Sequence, residues 1–402
     1  MNTDERWLAF TGVDLLDGTR APGPDEVVLL ARLPRADAAG PVNTVVLEWA
    51  ALPAVPVVAV TADGRRTRTV DVPAAELMSG VRVGPALTAL LSELDPVAAR
   101  RTYAPSFQLG PAGTGAVHVH SRIRLRREDC CLIRITAQPV PTTGVPRLDW
   151  LPPAVAAHAA EAVFLNNHHC YYRKCFADRE LEYKYTLRPP VDIWAATARL
   201  YDRLRAGGLP GYLMEYADEF QTWDYLNHLF EVPAPADEQG YVSFIPSTDG
   251  RHLMKRKWFA EDSFERREEH RKGVVTGNDL GRFVAEQLGL RARRLPTFRR
   301  VRYDVNVESA RTGHVYGIFF DHCSLVADPT VVLSQCELEY LRTRSVLPPD
   351  EAAVRVELDE IAAWLEAFLA ESGLPNERGY YSKLSFLRDV VAARPELAVV
   401  PG

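Results

Sequence analysis

The sequence predicts an α+β fold in two parts: a β-rich N-terminal domain over residues 1–150, and an antiparallel β-barrel with flanking helices over residues 151–402. Three observations carry this expectation. The first 150 residues alternate short β-type runs with Pro-, Gly- and Asp-rich turns. Three later segments repeat a period-two pattern, with like charges on one face and apolar groups on the other. Helical runs separate these segments and amphipathic helices close the chain.

A chain of 402 residues exceeds one ordinary domain, so two folding units are expected, with a single barrel carrying insertions as the alternative. An apolar fraction of 47% and a charged fraction of 25% are those of a globular protein. The most apolar stretch, Val45 to Val60, contains Glu48, Pro53 and Pro56 and is too short and interrupted to span a bilayer. No membrane association is therefore expected. The N-terminus opens with Asp4 and Glu5 and has no basic region leading into an apolar one, so a secretory signal is not expected and the cytoplasm is the default location.

Six cysteines, Cys130, Cys131, Cys170, Cys175, Cys323 and Cys336, are too sparse for a disulfide scaffold and suit reduced thiols. The cluster His168, His169, Cys170 and Cys175 matches no standard zinc spacing. A net charge of -6 argues against nucleic-acid affinity, so local basic groups need a local purpose. The oligomeric state is not legible.

Strands are expected at Glu26 to Leu33, Thr44 to Trp49, Val57 to Thr61, Val117 to Leu125 and Cys131 to Ala137, with one helical run near Gly84 to Leu94. This part carries no chemical motif, and Arg122, Arg124, Arg126 and Arg127 read as the solvated face of one strand. The segment Pro139 to Pro153, with five prolines, reads as a linker. After it come a helix (Ala154 to Leu165), a strand (Glu180 to Leu187) and a helix (Asp192 to Ala206). Strands follow at Tyr241 to Ile245, His252 to Phe259, Arg299 to Val307, Val315 to Asp321 and Ser334 to Thr343. A helix (Asn278 to Leu288) precedes the Arg299 strand, and two helices end the chain (Asp350 to Ser372, Tyr381 to Ala393).

In Glu180-Leu181-Glu182-Tyr183-Lys184-Tyr185 a strand puts Glu180, Glu182 and Lys184 on one face, whereas in a helix residues two apart diverge by about 200°. The same parity joins Glu337 with Glu339 and Arg300 with Arg302, each opposite apolar neighbours. Charge pairs of this kind face water on most half-exposed antiparallel sheets. Three such strands together suit a closed sheet, with apolar faces packed on helices and charged faces lining a lumen. Crowded carboxylates there need neutralising by hard divalent cations, and paired Arg and Lys suit phosphate oxygens.

Glu180, Glu182 and Lys184 reproduce the Glu-x-Glu-x-Lys signature on the first barrel strand of the CYTH superfamily, the triphosphate tunnel metalloenzymes related to class IV adenylyl cyclase and thiamine triphosphatase. The downstream order is also similar: Lys255-Arg256-Lys257-Trp258, then Phe298-Arg299-Arg300-Val301-Arg302-Tyr303, then Asp321, then Glu337 and Glu339, with Gly379 to Phe386 resembling the closing helix. The resemblance implies that Glu180, Glu182, Asp321, Glu337 and Glu339 hold Mg2+ or Mn2+. It implies that Lys184, Lys255, Lys257, Arg300 and Arg302 hold phosphates, and that Glu180, Glu182 and Lys184 are catalytic. Parity favours Lys255 and Lys257 over Arg256. Lys272 resembles another basic barrel position and equally a solvated turn lysine. Residues 189–239 depart from the family as a long insertion, and residues 1–150 lie outside its core.

The implied activity is metal-dependent hydrolysis of a small-molecule triphosphate, or of a related polyphosphate or organic phosphate, in a barrel lumen. The alternatives are a nucleotidyl cyclase or other phosphate-chemistry enzyme, and a non-catalytic polyphosphate-binding module.

Overall fold

The computed structural model describes residues 5–34, 42–166, 172–215, 220–277 and 279–399. It divides into two compact units. The first comprises Met1–Arg173 with Ser309–Gly313 and Thr343–Asp350; the second comprises Lys174–Glu308, His314–Arg342 and Glu351–Gly402.

In the first unit, eight strands form one antiparallel path in the order Thr44–Glu48, Asp129–Arg134, Ala116–Leu125, Tyr103–Pro111, Arg6–Gly12, Val27–Leu33, Val55–Thr61 and Val70–Val72. The short strand Val140–Pro141 pairs with Ala116–Leu125. Both sheet faces are covered. Helix Pro85–Leu94 buries Leu87, Leu90 and Leu91 with Leu8, Phe10, Leu29 and Val57, while Trp150, Leu151 and Ala154 join Val28, Leu30, Phe107 and Val119 on the other side.

The segment Pro139 to Pro153, expected as a linker, falls within the first unit. Val145, Leu148 and Trp150 are buried in the first unit, with the Trp150 indole donating to the Val145 carbonyl at 2.7 Å. The prolines of this segment end regular structure without releasing the chain from the core. The arginine row is also not simply solvated: Arg124 and Arg126 pair with the buried carboxylate of Asp129. His168, His169 and Cys170 lie outside the described residues.

In the second unit the strand pairings return on themselves. Arg179–Leu187 pairs with Glu265–Val274, which pairs with His252–Trp258, then Gly240–Pro246, Phe220–Val232, Phe298–Ser309, His314–Leu325 and Val332–Thr343, and the last pairs with Arg179–Leu187. The result is a ring-like antiparallel sheet of eight strands. Two strands make its corners by changing partner along their length. Arg179–Leu181 pairs with Glu265–Arg267 and Glu182–Leu187 with the Val332–Thr343 strand. Phe220–Asn227 pairs with Phe298–Val305 and His228–Val232 with Gly240–Phe244.

Within residues 189–239, expected as an insertion, Phe220–Val232 is a strand of the ring and bridges Gly240–Pro246 and Phe298–Ser309. Residues 216–219 of this segment lie outside the described residues. Helix Ile193–Arg205, capped by Asp192 accepting from the Ala195 amide at 2.9 Å, packs Ala196, Leu200 and Leu204 on the ring's outer face. Helix Glu351–Glu371 adds Leu358, Ile361 and Leu365 to the same core, which takes Leu181, Tyr185, Val305, Leu338 and Tyr340 from the strands. The outward apolar parity that the helices cover is what leaves the charged parity facing inward.

Helix Lys383–Ala393 packs elsewhere. Leu384, Phe386 and Leu387 join Leu229, Phe298, Cys323, Leu325 and Leu333. Leu229 and Phe298 line the cavity enclosed by the ring, and Cys323 and Leu325 sit in register with Arg300 and Phe298. The helix therefore stoppers one end of the lumen. Among the described residues no helix is long and apolar enough to cross a membrane.

Candidate functional site

The cavity inside the ring holds about 650 Å³ of open space, including its mouth, within the range of roughly 300–1,000 Å³ that accommodates small ligands. Seven lysine and arginine side chains (Lys184, Lys255, Lys257, Arg266, Arg300, Arg302 and Lys383) and five glutamates (Glu180, Glu182, Glu268, Glu337 and Glu339) line it. Cations thus outnumber carboxylates along this lining, a balance that favours anions.

On Arg179–Leu187, parity sends Glu180, Glu182 and Lys184 inward. Lys257 donates to both Glu180 oxygens at 2.5 and 2.6 Å and lies 3.3 Å from Glu268. Arg266 pairs with Glu182 and, at 3.4 Å, with Glu180. Lys184 bridges Glu182 at 2.7 Å and Glu337 at 3.5 Å. Arg256 takes the outer parity, donating to Glu238 at 3.0 Å and lying 4.8 Å over the Trp258 ring. Lys255 lines the lumen beside Lys257.

A second group surrounds Asp321. This carboxylate is fully buried, is not among the cavity-lining residues, and is clamped by Arg300, by Arg302 at 2.7 Å and by Lys383 at 3.0 Å. The same three cations pair with Glu337. Asp321, expected as a metal ligand, thus lies beneath the cavity wall with its oxygens paired to these basic side chains. Burial alone would raise the Glu337 carboxyl, but Lys383, Lys184 and Arg300 outweigh it and hold that group well below the usual carboxylate range.

The third group has the opposite balance. One carboxylate oxygen each from Glu180, Glu268 and Glu339 lies within 4.8 Å of the others. Lys257 and Arg266 hold Glu180 low against burial and Glu268, and Lys257 and His270 do the same for Glu268. Glu339 has no hydrogen bond or ion pair among the described residues, and burial, then Glu180 and Glu268, push it up to about 8. Hard oxygen donors converging around one unpaired, partly buried acid fit a small divalent cation.

Of the ten residues singled out from the sequence, nine line this cavity and Asp321 lies behind it. Arg266, Glu268 and Lys383 were not foreseen. The segment Glu265–Val274 is charged on both parities, with Arg266, Glu268 and His270 inward and Arg267, Glu269 and Arg271 outward, so no apolar face marked it as a strand. Its charges, on even and odd positions alike, could have been noticed only by asking which segment completes the ring. Lys272 is exposed and does not line the lumen.

No family model matches this chain, and no curated protein matches its sequence. Among solved structures, HpAC1 from Hippeastrum, an adenylyl cyclase candidate with a dominant triphosphatase activity, is 16% identical, with 53% of this chain and 95% of that chain covered at a TM-score of 0.30. The Pct1 RNA triphosphatase of S. pombe, in complex with the Spt5 CTD, is 13% identical, with 54% and 85% covered at a TM-score of 0.23. A further structure of S. pombe Pct1 RNA triphosphatase gives 12% identity, 54% and 84% coverage and a TM-score of 0.21. At these scores the likenesses decide neither fold nor activity, which rest on the ring and its side chains.

Proposed function

We propose that the chain is a metal-dependent phosphohydrolase acting on a triphosphate, or a related polyphosphate or organic phosphate, bound in the lumen of its tunnel-like ring. One observation carries this reading: within a single enclosed cavity, seven cations meet five carboxylates, and three of those carboxylates converge with one of them unpaired.

Glu180, Glu268 and Glu339 would hold the metal, and Mg2+ or Mn2+ suits all-oxygen ligands. A cation bound there would neutralise phosphate charge and polarise a phosphoryl oxygen toward attack by water. The chain's own residues do the rest. Asp321 and Glu337 fix Arg300, Arg302 and Lys383 from behind, so their remaining donors reach the lumen with little freedom to lose. The Arg300 Nε, buried and without a partner, is one such donor. Lys184, Lys257 and these groups meet the charge spread over the phosphoryl oxygens in the transition state. Helix Lys383–Ala393 packs against Leu229 and Phe298 of the lining and places Lys383 at the cavity wall.

The test is a product assay with inorganic and nucleoside triphosphates plus Mg2+ or Mn2+, resolving orthophosphate, pyrophosphate and cyclic nucleotide. Metal-dependent orthophosphate release is expected. Cyclic nucleotide with pyrophosphate would replace hydrolase by cyclase, and tight binding without any product would leave a binding module.

A further inference from the structure

Around the ring, six strands contribute charged groups to the cavity or directly beneath its wall, and two do not. The exceptions are the neighbours Phe220–Val232 and Gly240–Pro246, which offer Tyr225, Asn227, Leu229, Tyr241 and Ser243. In the closed order each stands four places from an acidic strand, Phe220–Val232 from Arg179–Leu187 and Gly240–Pro246 from Val332–Thr343. The uncharged sector thus lies across the lumen from Glu180, Glu182, Glu337 and Glu339. Lys255 and Lys257 flank it on one side, Arg300 and Arg302 on the other.

Inorganic polyphosphate gains little from such a sector, since its oxygens are acceptors that cations serve better. Asn227 sharpens the point. Its side chain is 7% exposed and lines the cavity, and its Oδ1 has no hydrogen-bond partner among the described residues. A buried acceptor left unpaired is costly and marks a place where a ligand supplies the donor. Triphosphate oxygens near neutral pH act overwhelmingly as acceptors, whereas a hydroxyl or amino group brings a donor. In the same sector of the lining, burial pushes the Tyr241 phenol up to about 12, so it stays a neutral hydroxyl.

We propose that Phe220–Val232 and Gly240–Pro246 form the subsite for the organic part of a triphosphate ester, with Asn227 accepting a hydrogen bond from a hydroxyl or amine on that part. The inference rests on the reading of the lumen as a triphosphate site and narrows its substrate from inorganic chains to hydroxyl- or amine-bearing esters. Asn227 is then a specificity-determining residue, while the phosphates keep to the basic flanks.

The experiment compares kcat/KM at fixed Mn2+ for inorganic triphosphate, methyl triphosphate, which has an organic group but no donor on it, and ATP, GTP, CTP and UTP. Wild-type protein is set beside Asn227→Leu and the milder Asn227→Ser and Ser243→Ala, so that one misfolded variant does not end the test. At least one nucleotide should exceed methyl triphosphate by about tenfold or more in the wild type, and that preference should fall by about tenfold in the Asn227 variants while the inorganic and methyl substrates stay within about twofold. Equal losses on all substrates, or no preference for any nucleotide in the wild type, would overturn the subsite alone. Failure of the wild type to hydrolyse any of them would instead overturn the proposed hydrolase and this inference with it.

Discussion

Glu182 and Glu339 stand in register on adjacent strands of the ring, yet only Glu182 has cationic partners, Lys184 at 2.7 Å and Arg266. Glu339 instead faces Glu180 and Glu268, and its carboxyl is pushed up to about 8 by burial first and by those two acids second. The ring has placed an excess negative charge where a divalent cation would relieve it.

Manganese affinity should therefore depend on pH in a defined direction. Below about 8 Glu339 keeps its proton in the metal-free fold, and binding must displace that proton, so affinity rises as pH increases from 6 to 8 and levels above. Glu339→Gln should weaken binding by about tenfold or more and flatten that rise. Titration calorimetry at several pH values measures both, and a pH-independent affinity in the wild type would contradict the assignment.

Asp321 makes a separable prediction because it lies under the wall. Asp321→Asn keeps the shape but removes the charge shared by Arg300, Arg302 and Lys383. KM for triphosphate should rise by about tenfold with manganese affinity unchanged, and breaking this buried network should lower stability by about 3–5 kcal/mol. Loss of manganese binding in this variant, with triphosphate affinity kept, would make Asp321 a metal ligand instead.

The stoppering helix separates packing from chemistry. Leu387→Ala removes a fully buried side chain at the helix–lumen contact and should cost about 2–5 kcal/mol in thermal or denaturant unfolding. Lys383→Met keeps the stem of the side chain and should leave the fold intact while lowering kcat/KM by about tenfold or more. Unchanged kinetics for Lys383→Met would remove the lysine from the phosphate site.

What the sequence disclosed was whatever parity could disclose. Glu180, Glu182, Arg300, Arg302, Glu337 and Glu339 alternate with apolar residues that the outer helices cover, so both faces of each strand were legible. Phe220–Val232 was not, because its inward face, with Tyr225, Asn227 and Leu229, differs little in polarity from its outward one. Arg6–Gly12 and Tyr103–Pro111 escaped for another reason. They are buried on both faces and show continuous burial with no alternation to detect. Lys383 enters the lumen from a helix, and no local pattern distinguishes such a lysine from a solvated one.

Truncation tests the division into units. A fragment beginning at Ala154 loses Trp150 and Leu151 and leaves Val346 and Leu347 without the cluster they join in the first unit. Such a fragment should expose apolar surface and aggregate. Size-exclusion chromatography giving a monodisperse species with a cooperative melt would contradict the placement of Trp150 and Val346 in one core.

The central claim is that the lumen brings a divalent cation and a triphosphate together at opposed carboxylate and basic groups. A crystal structure of the full chain grown with Mn2+ and inorganic triphosphate, with manganese located by anomalous scattering, measures this directly. The predicted result is a manganese peak bonded to oxygens of Glu180, Glu268 and Glu339, with phosphates held by Lys257, Arg300, Arg302 and Lys383. Manganese and triphosphate bound only outside the ring, with Glu339 still unpaired inside it, would contradict the claim.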